Sequence, residues 1–494
     1  MFGIVSIASA QAIEPGGRSL DLTLGQSFQY SDNIDLIANP EGETLRSSTS
    51  FGLEYADITR NQSLRLSLRG VYEVDDENDE VSDPFAELSY ALEGSNTRLA
   101  FSANFRRTDL DDAFVPLELL PVGFDPVNTP VNEIVRIEAG IRTDRYYEVG
   151  FETGMRSNIG FKLDLSQQDR GFSDVSLVDL VSPTDLADSR VRRVDALTTF
   201  RIDPAVTATI FADAREYKAD DVEQVERTDT NFGIGASFGV SPSTTLDVAL
   251  GQRKIERTRD GVLREADGVT LEADLDRALP NGSIGVDFIS APTLNGRDNT
   301  LRVNRAMELT RNRQLSYGIG VSNTADLGSE PLFSLAYVQP LKRGRFGVTL
   351  NQETRTEENS DEAVVLTSVT ANYALALSPN VNWSVRAGVN DIAARSTTGS
   401  DRRGISLRTD LVGRINNVSS WSLGGTLGDT RVSDNVDEAR ERRFGVQMAY
   451  RREMTRDWNM VAQYQHFTIL DDDEDDRRSN TISLGLERTF SFRP

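Results

Sequence analysis

The sequence predicts an all-β chain, a transmembrane antiparallel up-and-down β-barrel, and three observations carry that reading. Apolar residues recur at every second position in segments of about nine to twelve residues, from one end of the chain to the other. The connectors between those segments alternate between tight turns and longer acidic or irregular loops, as in outer-membrane barrels. No run approaches the roughly 18 consecutive apolar residues of a spanning helix, and mean hydropathy is −0.39, as expected when half of each strand faces water.

The alternation opens with Leu20, Leu22, Leu24, Phe28 and Tyr30. It continues through Phe51, Leu53 and Tyr55, then Leu64, Leu66, Leu68 and Tyr72, then Leu99, Phe101, Ala103 and Phe105. Later members include Phe232, Ile234, Ala236 and Phe238; Trp383, Val385, Ala387 and Val389; and Ile482, Leu484, Leu486, Phe490 and Phe492. "SPST" (241–244), "PNGS" (280–283), "SPNV" (378–381) and "NNVS" (416–419) carry the Gly, Pro, Asn and Ser of tight hairpins. Between them the sequence predicts longer loops near 31–46, 74–83, 108–133, 169–189, 218–227, 257–267, 291–299, 323–331, 352–362, 390–402, 430–441 and 468–479.

A soluble sandwich has no reason to segregate loop lengths to one end. A barrel with short periplasmic turns does, and its backbone groups at membrane depth are all paired internally. The connectors give about 24 strands, within a range of about 22–26. Aromatics at strand ends, Tyr30, Tyr55, Tyr72, Tyr90, Tyr337, Trp383, Trp421 and Trp458, form the set expected of interfacial girdles.

The alternate phase is polar and is expected to line the lumen. Its charged members are Arg65, Arg69, Arg106, Arg136, Glu138, Arg142, Arg302, Glu308, Arg386, Arg408, Asp410, Arg443 and Arg451. Two arginines break the rule: Arg305 shares the phase of Leu301 and Val303, and Arg488 that of Leu486 and Phe490. A lipid-facing arginine costs about 2–4 kcal/mol at mid-membrane and less near the interface. Either the strand of Arg305 lies deep toward its turn, or it carries a bulge, or its register is shifted; Arg488 requires a strand end near the periplasm.

Net charge is −24, which argues against nucleic acid, since phosphate binding requires clustered Lys and Arg. The acidic excess sits in the expected loops, with six acidic residues in 74–83 and six in "DDDEDD" (471–476). These read as a solvated rim, or as a place where divalent cations bridge to lipopolysaccharide phosphates. No cysteine and one histidine, His466, leave no thiolate or imidazole metal site, and no cofactor is expected. Gly235-Ala236-Ser237-Phe238-Gly239 fits the nucleophile-elbow pattern but lies inside an alternating strand, with Ser237 and His466 in opposite phases. No enzymatic activity is expected.

Residues 1–12, "MFGIVSIASAQA", end in a small-x-small pattern and read as part of a signal peptide, with 13–494 as a single outer-membrane β-barrel domain. The terminal "TFSF" resembles the aromatic last strand that outer-membrane proteins present to the barrel-assembly machinery, although Arg493 and Pro494 follow it. "YSDNIDL" (Tyr30 to Leu36) is similar to a β-barrel porin family found with exopolysaccharide-export gene clusters. That resemblance implies a Gram-negative outer-membrane pore, with outer-membrane lipid and lipopolysaccharide, the assembly machinery and a polysaccharide-export complex as partners. Two functions follow as expectations: a porin-like channel for diffusion or export of a polar solute or secreted polysaccharide, or a non-conducting structural or adhesive surface barrel acting through its acidic loops.

Overall fold

The computed structural model describes residues 17–34, 36, 39–40, 42–74, 79–109, 137–177, 188–220, 224–309, 312–356, 363–394, 401–433, 438–472 and 476–493. They form 24 strands. In order these are β1 (Arg18–Ser31), β2 (Thr44–Ile58), β3 (Gln62–Val74), β4 (Asp79–Glu93), β5 (Thr97–Asp109), β6 (Ile137–Thr153), β7 (Ile159–Leu177) and β8 (Asp188–Asp203). Then follow β9 (Val206–Asp220), β10 (Glu226–Ser241), β11 (Thr244–Arg259), β12 (Val262–Leu279), β13 (Gly282–Thr293), β14 (Gly296–Leu309), β15 (Arg313–Thr324) and β16 (Gly328–Leu341). The last are β17 (Gly344–Thr356), β18 (Ala363–Ser378), β19 (Val381–Ala394), β20 (Asp401–Asn416), β21 (Ser419–Ser433), β22 (Glu438–Glu453), β23 (Trp458–Asp471) and β24 (Arg477–Phe492). Each pairs antiparallel with the next, and β1 pairs with β24, so the sheet closes and has no edge.

Register carries the apolar phase around the wall. Trp383 stands opposite Leu411, Leu411 opposite Leu423, and Leu423 opposite Met448. A slip of one residue anywhere would turn a strand inside out. The apolar phase is the outward one: Phe28, Ile234, Ile319 and Leu484 each expose more than half of their surface (55%, 62%, 65% and 52%). In a membrane protein such exposure marks the lipid belt. Trp421 closes over Gly413 on the neighbouring strand, where a Cβ would come within 2.5 Å of the indole.

The connectors differ from expectation. Three loops expected to be long are tight: β11 and β12 are joined by Asp260-Gly261, both at positive φ (50° and 74°), as a hairpin turn of two residues requires. Positions 294–295 join β13 to β14, and 325–327 join β15 to β16. The physical reason is that the ladder continues above the membrane, where both faces meet water and apolar alternation has no cause. The expected segments at 1–12, 110–133 and 357–362, and residues 473–475 of the "DDDEDD" run, lie outside the described residues.

The seam runs from Leu20 opposite Phe492 to Tyr30 opposite Ile482. "YSDNIDL" fastens its outer end. The Asp32 carboxylate accepts hydrogen bonds from the backbone N–H and the side-chain amide of Asn480, both at 2.6 Å, and Asn33 donates to the Arg478 carbonyl at 2.8 Å. Beyond it Leu36, at φ 51°, joins a small buried cluster with Phe467 and Ile469.

Both discordant arginines find their place. Arg305 keeps its outward phase with no register shift in either neighbouring ladder. Its guanidinium reaches the β12–β13 turn, donating to the Ser283 carbonyl and to Asn281 Oδ1, each at 2.8 Å. Arg488 lies over the rings of Trp458 (5.4 Å) and Phe490 (4.3 Å) at the periplasmic end of the seam.

Candidate functional site

The face opposite the lipid belt encloses the lumen, and most of the sequence-predicted residues fall on it by register. Arg65 sits between Ala56 and Ser89. Arg69 pairs with Glu54 at 2.9 Å and lies 5.8 Å from the Phe85 ring. Arg106 stands between Phe85 and Asp144, and Asp144 takes both Arg142 (2.6 Å) and Arg170 (3.1 Å). Arg302 is flanked by Asp287 and Gly320, and Glu308 by Gln314 near the β12–β13 turn. Arg443 pairs with Glu441, and Arg451 lies 3.7 Å from Glu487. Arg136 lies outside the described residues, as does the side chain of Glu138.

Only one subset comes together. Arg386 donates to Asn372 (3.1 Å) and stands directly opposite Arg408, whose fork closes on Asp410 at 2.9 and 3.1 Å. The remainder is spread around the circumference, with Arg69, Arg142, Arg443 and Arg451 beside carboxylates, so the predicted set does not form a single site.

A second constellation is invisible in the sequence. Asp247, Asp274 and Asp287 stand directly opposite one another across β11, β12 and β13, with Arg302 next in line. Glu272 and Asp276 flank Asp274 on the same face of β12. Like charges directly opposite are destabilising in a sheet, so this row is a local concentration of negative field on the lumen wall. Among the described residues no group of three or more His, Cys, Asp or Glu is placed to hold a metal ion.

Elsewhere the lumen wall is small, neutral and hydrogen-bonding. From β15 to β19 it presents Ser316, Ser334, Thr349, Asn351, Thr370, Asn372 and Asn390. Apolar groups enter this face near the outer mouth, where Val364, Leu366 and Ile392 form one buried cluster and Phe467 and Ile469 belong to another.

His466 lies on the outward face of β23, with Nδ1 2.9 Å from Asn480 Oδ1 and Nε2 3.1 Å from the Thr468 hydroxyl. Ser237 is on the inward face of β10, opposite Asp247 and Thr207. The two belong to opposite faces of the wall.

Comparison with solved structures finds the same architecture. The iron transporter FrpB of Neisseria meningitidis (F5-1 variant) matches over 97% of this chain and 83% of its own, at 8% identity and a TM-score of 0.52. The chain is an integral outer-membrane barrel. The ferric-catecholate import receptor Fiu of E. coli K12 also aligns, over 97% of this chain and 82% of its own, at 11% identity and a TM-score of 0.48. The copper transporter OprC aligns over 95% of this chain and 80% of its own, at 10% identity and a TM-score of 0.46. At these identities the likeness concerns the fold alone, a closed antiparallel β-barrel. No protein-family model matches the sequence, and the comparison with curated proteins returned no match. The resemblance to exopolysaccharide-associated porins therefore rests on "YSDNIDL" alone.

Proposed function

We propose that the barrel is a conduit for a polar solute across the outer membrane, with a hydroxyl-rich chain such as a secreted polysaccharide as the cargo its wall suits best. The observation that carries this reading is the lumen face itself. It is polar along the strands, and between β15 and β19 it offers Ser, Thr and Asn groups that exchange hydrogen bonds with a carbohydrate without binding it tightly. The arginines at Arg386 and Arg408 and the carboxylates of β11–β13 lie on separate walls, which gives the cross-section a transverse field that orients polar cargo. No residue is assigned a catalytic role, and the assembly machinery and an export complex are the partners this reading entails.

The competing function is a non-conducting structural or adhesive barrel. It draws support from the apolar clusters at the outer mouth, Leu36 with Phe467 and Ile469, and Val364 with Leu366 and Ile392, which narrow a face that transport would leave polar. Planar-bilayer recording separates the two. Folded protein is expected to give discrete single-channel steps that a soluble polysaccharide blocks; folded protein with no conductance at all would establish the closed barrel.

A further inference from the structure

The aromatic rings of the lumen face are gathered on one wall. Among the described strand residues six aromatics fall on the inward face by register, and five of them lie on β4–β9: Phe85, Tyr146, Phe172, Phe211 and Tyr217. The sixth, Phe467, belongs to the buried cluster at the outer mouth. From β10 to β22 the described inward positions carry none. An aromatic ring on a water-facing wall costs free energy unless something covers it, and a run of such rings marks a binding surface. Tyr146 leaves 37% of its surface exposed.

The rings follow the wall from the outer mouth downward. Phe172 stands opposite Arg142 on β6, and the row of Phe211 crosses β6 at Glu152, by way of Leu197 and Lys162. These rows are ten residues apart on β6, about 34 Å along the strand at roughly 3.4 Å per residue. Phe85, Tyr146 and Tyr217 lie between them. Three of the rings are held in place. The Arg69 guanidinium lies 5.8 Å from the Phe85 ring, the Tyr146 hydroxyl donates to Glu148 at 2.9 Å, and Phe211 reaches over Gly233, where a Cβ would come within 2.6 Å of the ring. Planar polar groups accompany them: Asn104 and Gln168 stand on either side of Tyr146, with Glu87 next beyond Asn104.

We propose that this wall is a binding track for the sugar rings of an oligosaccharide or polysaccharide chain. A pyranose ring has an apolar face of C–H bonds and a rim of hydroxyls. Aromatic faces take the first, and amide and carboxylate groups, which donate and accept side by side, take the second. The track lies on the face turned away from lipid, so an acyl chain does not reach it. A nucleic-acid strand, whose bases also stack, would bring its phosphates against Glu87, Glu148 and Glu152 on the same face. The hydroxyl- and amide-bearing wall of β15–β19 stands about half a circuit away, since β17 is eleven strands from β6 in a ring of 24. A chain gripped on one side and passed by exchanging hydrogen bonds on the other is bound without being trapped. The track rests on the reading of the lumen as a conduit for hydroxyl-rich chains and adds to it the wall along which the cargo runs.

The test uses the folded full-length barrel in lipid nanodiscs, with saturation-transfer NMR and titration calorimetry against a cello-hexasaccharide. Sorbitol, an open-chain polyol, serves as the control that has hydroxyls but no ring face. The hexasaccharide is expected to bind, with saturation strongest on its ring C–H protons, and sorbitol is not. The double variant Tyr146→Ala/Tyr217→Ala is expected to weaken binding at least about tenfold. Tyr146→Trp is expected to retain it, and Tyr147→Ala, on the outward face of the same strand, to leave it unchanged. Absence of hexasaccharide binding, equal binding of sorbitol, or full binding by the double variant each overturns the proposal. Should the double variant fail to fold, Tyr146→Ala alone decides by the same measure. Bilayer recording of the unmodified protein keeps the two readings apart: binding without conductance upholds the sugar site and removes the conduit, whereas conductance without binding overturns the site and leaves the conduit.

Discussion

Arg305 and Arg488 show how a lipid-facing arginine is tolerated. Each lies within reach of the periplasmic interface, and each gives its guanidinium a partner there, turn carbonyl and amide oxygens for Arg305 and two aromatic faces for Arg488. The same charge placed higher has neither. Ile234→Arg, in the middle of the β10 belt, is expected to destabilise the barrel by about 2–4 kcal/mol. Arg488→Ala is expected to cost only about 1 kcal/mol, the order of a partly desolvated cation–π contact. Urea unfolding of each variant in lipid vesicles, followed by tryptophan fluorescence, measures both; equal losses would show that depth does not set the cost.

Among the elements, the seam between β1 and β24 pairs the first strand with the last, strands far apart in the chain. Asp32, by accepting two short hydrogen bonds from Asn480, fixes their register at the outer end. Hydrogen bonds to a charged group contribute roughly 1.5–3 kcal/mol each. Asp32→Ala is therefore expected to lower the temperature at which the compact gel form converts to the unfolded one, while Asp35→Ala, in the same motif, serves as the comparison. An unchanged transition in Asp32→Ala would remove the motif's structural role.

A second element-scale expectation concerns β11–β13. Replacing Asp247, Asp274 and Asp287 by Asn removes the aligned carboxylates from the lumen wall, so the reversal potential in a salt gradient should move toward anion permeation. An unmoved reversal potential would mean that ions do not pass along that wall.

Strand number, closure and facing were legible in the sequence because the bilayer enforces alternation on every strand through one physical cause. Arg408 and Leu411 fall in opposite phases of one strand, and the ladders on both sides of it run without a shift between them. Connector lengths were not legible, because the alternation stops at the membrane surface while hydrogen bonding runs on, as at Asp260-Gly261. Nor was the row of Asp247, Asp274 and Asp287: three residues on three strands become neighbours only once register is known. The gathering of inward rings on β4–β9 was hidden for the same reason. Asp32 and Asn480 lie at opposite ends of the chain, so nothing local connects them.

For the whole molecule, the acidic chain and its oily stripes are two consequences of one solvent arrangement. Closing the sheet leaves one face to lipid and one to water, so a chain with net charge −24 and, among its described residues, no helix long and apolar enough to cross still spans a membrane. The outward belt follows from Leu20 on β1 to Phe492 on β24, and the polar face it encloses is what the proposed transport depends on. The absence of native cysteine makes the most direct measurement clean: single cysteines placed in turn along β20 from Ile405 to Leu411, reacted with a membrane-impermeant maleimide in sealed vesicles. The account predicts that positions 406, 408 and 410 label while 405, 407, 409 and 411 stay protected by lipid. Labelling that ignores this alternation, or protects the arginine and aspartate positions instead, would contradict it.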